Sequence, residues 1–248
     1  MNDIQANRSF LYGDGFFETM RVSKNQIPLI VHHLNRAKRV AKIFQLRWKP
    51  EWDEDFFNAV AASIPNDCVF RATFYRDNGG TYQSTSNNIK VHFQNRPIPE
   101  NNSLFVQQAL KQDELLSELR KLPTHDLGIY DQILKPRNVL SNIKSTSSLY
   151  YVLAGLYLQT STHSDILILN DANRACEGLT SNLLLFTSGE WYTPMLTEGP
   201  VDGTYLAFLR TFLPINDSEL ELKDVKEAEE VFLVNASLGF RRMKFNFY

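Results

Sequence analysis

From residue 141 the chain reads Ser-Asn-Ile-Lys-Ser-Thr-Ser-Ser-Leu-Tyr, and from residue 151 it continues Tyr-Val-Leu-Ala-Gly-Leu-Tyr-Leu. Ser, Asn and Thr cap helix starts, so the polar part followed by the apolar part predicts a buried helix from near Lys144 to about Gln159. The helix dipole and partial burial both lower the pKa of a lysine at a helix start. Lys144 is therefore a candidate nucleophile. The alternative, a solvated lysine in a loop, stays open on this stretch alone.

The composition indicates a globular protein with a substantial core. The chain has 248 residues, of which 43% are hydrophobic, and a formal net charge of −2. This charge gives no reason to expect nucleic-acid or membrane binding. Cys68 and Cys176 lie in strand-like stretches and are expected to be buried thiols, and the histidines lack zinc-ligand spacing, so we expect no metal. Without an apolar run of bilayer length or a signal-peptide core, the sequence predicts a cytoplasmic protein.

A proline-rich stretch at residues 96–103 predicts a domain boundary. We place a small α/β domain at residues 1–98, a linker at 99–103 and a larger domain at 104–248 that carries Lys144. Residues 123–143 contain Pro123, Gly128 and Pro136 and predict an irregular segment. The short strands expected at 165–169, 174–177, 182–186 and 190–193 predict a barrel-like or strongly curved sheet.

Three further features are ambiguous when each is taken alone. Glu177 precedes Gly178, where a carboxylate is ordinarily a turn residue. Arg36 lies on an amphipathic helix and is ordinarily solvated. Gly203 and Thr204 could form a simple helix cap, or their segment could present backbone N–H groups to a phosphate.

Taken together and in chain order, six stretches resemble the class IV aminotransferases, which are fold-type IV pyridoxal-phosphate enzymes. Residues 12–22 read Tyr-Gly-Asp-Gly-Phe-Phe-Glu-Thr-Met-Arg-Val, and residues 33–36 read His-Leu-Asn-Arg. The others are Asn-Ile-Lys-Ser at 142–145, Glu-Gly-Leu-Thr-Ser-Asn-Leu at 177–183, Asp-Gly-Thr-Tyr at 202–205 and Asn-Ala-Ser at 235–237. The resemblance covers residues 7 to 240 and implies an α+β, two-domain fold like that of D-amino acid aminotransferase, assembled as a homodimer.

The resemblance also implies a role for each motif residue. Lys144 would form the Schiff base with pyridoxal 5'-phosphate, Arg36 would bind the cofactor phosphate and Glu177 would bond the pyridine nitrogen. These residue types suit the chemistry, because a phosphate dianion prefers a bidentate guanidinium and a protonated ring nitrogen prefers an anion. The remaining residues that the motifs assign to the cofactor are Thr180, Ser181, Thr204, Tyr205 and Ser237.

Two details of the sequence bear on the reaction. Position 149 is leucine, as in the lyase and the D-amino acid enzymes of the family, whereas the branched-chain enzymes have tyrosine there. Residues 76–82 resemble a loop typical of the lyase, although Thr81 replaces its second arginine. A second departure is Leu206, where the family has arginine. The resemblance therefore favours 4-amino-4-deoxychorismate lyase, with transamination of a D-amino acid or another small amino acid as the alternative. A cofactor-binding protein without turnover is a further alternative.

A substrate that carries carboxylates needs cationic or hydroxyl donors. The candidates are Arg21, Arg71, Arg76, Tyr12 and Tyr82. The alternative for each of them is ordinary pairing on a strand surface.

Overall fold

The structure is a computed structural model and describes residues 7–77, 79–99 and 102–245. The chain divides into two compact units, of which the first contains Met1–Pro99 and Ile143–Ser148 and the second contains Glu100–Asn142 and Leu149–Tyr248. The chain first leaves the first unit close to the linker expected at 99–103. The sequence-based assignment of Lys144 to the larger domain is wrong, because residues 143–148 pack with the first unit.

The first unit is a three-stranded antiparallel sheet of order β1-β2-β3 with helices on one face. Alternation along the strands directs Phe16 and Met20 of the first strand and Phe70 and Phe74 of the second into one core. The Phe16 and Phe74 rings stack with their centroids 5.1 Å apart. The elements are α1 (Arg8–Tyr12), β1 (Gly15–Val22), α2 (Ile30–Ile43), α3 (Glu54–Ala62), β2 (Cys68–Arg76) and β3 (Ile89–Pro97).

The segment 143–148 is held by backbone hydrogen bonds to β1. The Phe17 N–H donates to the Lys144 carbonyl over 3.0 Å, and the Thr146 N–H donates to the Gly15 carbonyl over 2.9 Å. Gly13, with φ of 65°, leaves room for this segment, since a Cβ there would lie 2.8 Å from the Ser147 Cβ. Lys144 is therefore extended beside a strand and is not in a helix, which corrects the predicted helix start and its dipole argument.

The second unit is built around a closed sheet. The strand order is β10-β11-β4-β5-β6-β7, and β10 also pairs with β7, so six strands form a barrel, from which β8 and β9 extend. The predicted barrel-like sheet is thus confirmed. The elements are α4 (Gln112–Arg120), β4 (His125–Lys135), α5 (Leu149–Thr160), β5 (Asp165–Asn170), β6 (Ala175–Gly178), β7 (Asn182–Thr187), β8 (Glu190–Pro194), α6 (Thr204–Leu209), β9 (Ile215–Ser218), α7 (Leu222–Glu227), β10 (Glu230–Asn235) and β11 (Gly239–Phe245).

Strand β4 lies where the sequence predicts an irregular segment. It runs parallel to β11 on one side and to β5 on the other, and this pairing decides its conformation. Gly128 interrupts the apolar pattern because a Cβ at this position would lie 2.3 Å from the His163 ring. The strand ends at Lys135, whose side chain is buried.

Helix α5 has one buried and one exposed apolar face. Ala154 is fully buried, and Tyr157 packs with it against Ile166 and Ile168 of β5. The opposite face exposes 38–68% of each of four apolar residues, Leu149, Val152, Leu153 and Leu156. The prediction of a buried helix is therefore correct for one face only. Among the described residues, no helix has the length and apolarity needed to cross a bilayer.

Candidate active site

A buried carboxylate holds two motif residues together in the first unit. Glu18 lies on the core face of β1, and its side chain binds both His33 and Arg36 of α2. The Arg36 Nε–H donates to Oε1 over 2.8 Å, and Nη2 donates to Oε2. His33 Nδ1 lies 2.7 Å from Oε2. Glu18 thus uses two of the five N–H groups of Arg36, and the phosphate role of Arg36 stays a prediction.

The charges of this cluster follow from burial and pairing. Burial alone would raise the pKa of Glu18, but the Arg36 charge and the His33 hydrogen bond lower it to about 2. Burial lowers the pKa of His33, so its ring is neutral and Nδ1 carries the proton that Glu18 accepts. His33 Nε2 is buried and has no hydrogen-bond partner in the described part of the chain.

Lys144 and Arg71 share one aromatic ring. Lys144 Nζ lies 4.9 Å from the centroid of the Phe17 ring, and the Arg71 guanidinium lies 3.6 Å from the same centroid. Arg71 Nε also donates to Thr73 Oγ1 over 3.3 Å, whereas no carboxylate among residues 7–77, 79–99 and 102–245 pairs with it. Burial and the neighbouring Arg96 lower the pKa of Arg71. This arrangement places the Lys144 amine beside a guanidinium that has no carboxylate partner in the described part of the chain.

The structure gives Arg76 a structural role and so corrects its assignment to substrate binding. Its guanidinium donates to Asp14, to Asn87 and to the backbone carbonyls of Phe44 and Ser86. Arg8, which the sequence analysis missed, donates to the same Asp14 oxygen.

The three other substrate candidates stay predictions. Tyr12 and Tyr82 form an exposed aromatic pair with their ring centroids 5.5 Å apart. Arg21 lies on the same face of the sheet as Phe17 and is half-buried.

Glu177 is enclosed by donors in the second unit. It lies on β6 and is buried, and its Oε1 accepts from the Lys135 ammonium and, over 2.6 Å, from the Tyr151 hydroxyl. Its Oε2 accepts the Val201 N–H over 2.9 Å. Burial, together with the Glu177 carboxylate, raises the pKa of Tyr151 far above its ordinary value. Glu177 is therefore not the exposed turn carboxylate of the alternative reading.

Residues 201–205 contact Glu177 through the Val201 N–H. The Thr204 hydroxyl of this segment lacks a hydrogen-bond partner among the described residues. Asn182 Nδ2 donates to the Val201 carbonyl over 2.7 Å. A Cβ at Gly203 would lie only 1.8 Å from Asn182 Oδ1, so this position has no room for a side chain. Thr204 is 3% exposed, and its Oγ1 has no hydrogen-bond partner among the described residues. The Tyr205 side chain is a core residue whose hydroxyl bonds Val106, so only its backbone could reach a phosphate.

Asn235 connects the two serines of the predicted cofactor set. Its Oδ1 accepts the N–H groups of Ser237 and Leu238 over 3.0 and 2.9 Å, and its Nδ2 donates to Ser181 Oγ over 3.0 Å. Ser181 and Ser237 are both buried, whereas Thr180 is exposed. The structure therefore brings Ser181 and Ser237 to one side chain and leaves Thr180 outside this group.

Comparison with known proteins places the chain in a family. The family described as amino-transferase class IV matches residues 15–244. The chain belongs to the class IV aminotransferase family. A relative named aminodeoxychorismate lyase, from Vibrio harveyi, is 23% identical over 242 residues, which cover 94% of this chain and 83% of the relative.

Two solved structures share the fold of this family member. The 4-amino-4-deoxychorismate lyase of Pseudomonas aeruginosa superposes with a TM-score of 0.80 at 22% identity, covering 97% of this chain and 86% of that one. A hypothetical aminotransferase from Mycobacterium tuberculosis, solved in its PLP-bound form, gives 0.74 at 15% identity, covering 97% and 84%. The predicted fold-type IV α+β architecture is thereby confirmed.

The described residues fit a phosphate-bearing pyridine cofactor. The Thr204 hydroxyl lacks a partner, and Gly203 leaves no room for a side chain beside Asn182. Glu177 is buried and paired, and its Oε2 carries a single donor among those described. No group of three or more His, Cys, Asp or Glu in the described ranges is arranged to hold a metal ion.

The sequence analysis missed three residues that contact predicted site residues, which are Glu18 beside Arg36, and Lys135 and Tyr151 beside Glu177. Glu18 had a signal, because it stands on the otherwise apolar face of β1 with Phe16 and Met20, where a carboxylate needs a buried partner. No sequence signal pointed to Lys135, because the strand that ends at this residue was not predicted. Tyr151 looked like a core residue of an apolar helix.

We expect Glu18→Gln to destabilise the protein by about 3 kcal/mol at pH 7, because it leaves the buried Arg36 without its carboxylate. The pKa of Glu18 is depressed in the folded state, so its contribution is complete above the ordinary value near 4.5 and is lost as the pH falls towards about 2. The difference in unfolding free energy between wild type and variant should shrink over that range. Urea melts at several pH values measure it, and Glu51→Gln, at an exposed position, is the control. A difference that does not change with pH would contradict the assignment.

Proposed function

We propose that this class IV aminotransferase family member is a pyridoxal-phosphate-dependent 4-amino-4-deoxychorismate lyase, which releases 4-aminobenzoate and pyruvate. The observation that carries the proposal is the placement of the Lys144 amine and the Arg71 guanidinium on one Phe17 ring. This arrangement suits a substrate that bears a reacting centre close to a carboxylate. The lyase relatives that match nearly the whole chain support the same reaction.

Each residue of the site has a defined task in this proposal. Pyridoxal phosphate, when bound, supplies an electron sink for the carbanion formed at the substrate α-carbon. Lys144 would hold the cofactor aldehyde, and its amine would move the α-proton of the substrate as a general base. Glu177 keeps the ring nitrogen protonated. The motifs assign the cofactor phosphate to Arg36, Ser237 and the backbone N–H groups of Thr204 and Tyr205, and the Thr204 hydroxyl would be a further donor.

The first experiment tests whether Lys144 binds the cofactor. The full-length protein is loaded with pyridoxal phosphate, reduced with borohydride and mapped by mass spectrometry. We expect the label on Lys144 and none in Lys144→Ala. Lys135 is the matched alternative, because it is a buried lysine in contact with Glu177, and label on Lys135 would overturn the assignment of Lys144. The absence of any label would contradict a pyridoxal-phosphate enzyme, whereas label on Lys144 without turnover of any amine would support the alternative of a cofactor-binding protein without turnover.

The reaction is then decided on the same preparation. Formation of 4-aminobenzoate and pyruvate from aminodeoxychorismate without any α-keto acid acceptor is the expected result. Conversion of the cofactor to its amine form by a D- or L-amino acid, with no 4-aminobenzoate, would instead establish a transaminase. The aminotransferase from Mycobacterium tuberculosis, which shares the fold, makes this the second candidate.

We expect Arg71→Gln to raise KM for the carboxylate substrate about 10- to 100-fold, because one charge-assisted hydrogen bond is lost. Arg71→Lys should recover part of the loss. Steady-state kinetics measure the effect, and the control is Lys90→Gln, which removes an exposed lysine paired with Asp77. An unchanged KM in Arg71→Gln would show that another cation binds the carboxylate.

We further propose a homodimer that buries the exposed face of α5. Its four exposed apolar residues recur at helical spacing, and the helix sequence contains no charged side chain. A two-fold axis would pack this face against the same face of a second copy.

We expect the ligand of the protein to be a small-molecule substrate, and we expect no nucleic-acid or membrane partner. Location in the cytoplasm stays a prediction, which cell fractionation tests. The two cysteines are buried free thiols, as expected from the sequence.

The dimer is tested with Val152→Glu and Leu156→Glu, which place carboxylates on that face. We expect each variant to sediment at about half the wild-type mass, because burying an unpaired charge opposes association. The control is Ile43→Glu, at an exposed apolar position of α2. A wild-type monomer, or variants that remain dimeric, would contradict this interface.

A further inference from the structure

Glu177 has an unequal distribution of donors between its two oxygens. Oε1 accepts from both Lys135 and Tyr151, whereas Oε2 accepts only the Val201 N–H among the donors of the described residues. A carboxylate oxygen has two lone pairs, so Oε1 is saturated and Oε2 can accept one more bond. Oε2 is therefore the oxygen that remains for a ligand.

Lys135 supplies the positive charge that this buried carboxylate needs. Both side chains are about 5% exposed or less, and the ammonium also lies 5.3 Å from the centroid of the Tyr151 ring. A carboxylate buried with neutral donors alone tends to take up a proton, whereas a cation in direct contact keeps it ionised.

The other titratable groups around Glu177 do not replace this charge. Burial and the carboxylate raise the pKa values of Cys176, Tyr150 and Tyr151, which keeps all three neutral. Nearby Glu198 is paired with Arg174 and Arg137, and Arg137 also binds Asp171. These two arginines are thus engaged with other carboxylates.

We propose that Lys135 is a positioning residue that keeps Glu177 ionised, saturates its Oε1 and so directs Oε2 to the ring nitrogen of the cofactor. Tyr151 assists by filling the second lone pair of Oε1. The part that concerns the cofactor rests on the proposed function, whereas the ionisation of Glu177 does not. Lys135 acts through Glu177 and needs no contact with the substrate.

The first test is the pH dependence of stability in the full-length protein, with and without pyridoxal phosphate. In Lys135→Met the buried Glu177 carboxylate loses the cation that neutralises it, so the folded state retains a proton that the unfolded chain releases, and stability falls as the pH rises from about 4.5. We expect the Tm difference from wild type to widen by about 3–5 °C per pH unit in that window. Lys135→Arg keeps a cation beside Glu177 and should show a smaller Tm difference from wild type than Lys135→Met. Lys135→Met/Glu177→Gln should abolish the pH dependence.

The second test is the dissociation constant of pyridoxal phosphate, measured by fluorescence titration. Lys135→Met should weaken binding at least about tenfold at pH 8. If Lys135 acts through Glu177, the double variant should bind no more weakly than Glu177→Gln alone. Lys223→Met, which removes an exposed lysine paired with Glu221, is the control and should change neither quantity.

Three results would overturn the proposal. A Tm difference that is constant with pH would show that Lys135 contributes packing alone, additive losses in the double variant would show that it acts independently of Glu177, and label on Lys135 after borohydride reduction would give it the role assigned to Lys144. Failure of the proposed function has a different signature. The wild-type protein would then bind no pyridoxal phosphate, or would bind it and form no 4-aminobenzoate, while the melts without cofactor would still report on the ion pair.

Discussion

The extended pairing of residues 143–148 with β1 is the constraint on which the position of Lys144 depends. Backbone hydrogen bonds join Phe17 to Lys144 and Thr146 to Gly15, and the Ile143 side chain is buried in the core of the first unit. Because the backbone is fixed on both sides of Lys144, the amine can vary only through its own side-chain torsions. Its position beside the Phe17 ring follows from the register of this bridge.

Two buried carboxylates of this chain are stabilised in the same way. Glu18 and Glu177 are buried carboxylates, and each is held by one cation and by neutral donors, which are His33 for Glu18 and Tyr151 with the Val201 N–H for Glu177. In each cluster the charges cancel, and one polar atom retains unused bonding capacity among the described residues: Nε2 of His33 and Oε2 of Glu177. Neutral, rigid clusters of this kind present a ligand with fixed dipoles at little cost of reorganisation.

Much of this could be predicted from the sequence, and the rest depended on tertiary structure. The strands from 165 to 193 were recognisable by their apolar runs and turns, and the candidate site residues Lys144, Arg36 and Glu177 were assigned through a family resemblance. The helix start at Lys144 was wrong, because pairing with β1 overrides the capping tendency of Ser and Thr. Strand β4 was missed, because its conformation comes from neighbours distant in sequence, and with it Lys135. Arg76 was misjudged, since the carboxylate that engages it, Asp14, is 62 positions earlier in the chain.

The excursion of residues 143–148 also determines how the gene can be divided. A fragment that ends at residue 99 contains β1 but not the lysine, and a fragment that begins at residue 100 contains the lysine but not the strand that orients it. Neither fragment therefore contains both Lys144 and the strand that fixes its position, and a chimaera that exchanges one fragment at the 99/100 junction inherits the lysine from one parent and its strand from the other. In such a recombinant, the match between residues 15–17 and 143–146 would decide whether the amine is still correctly presented.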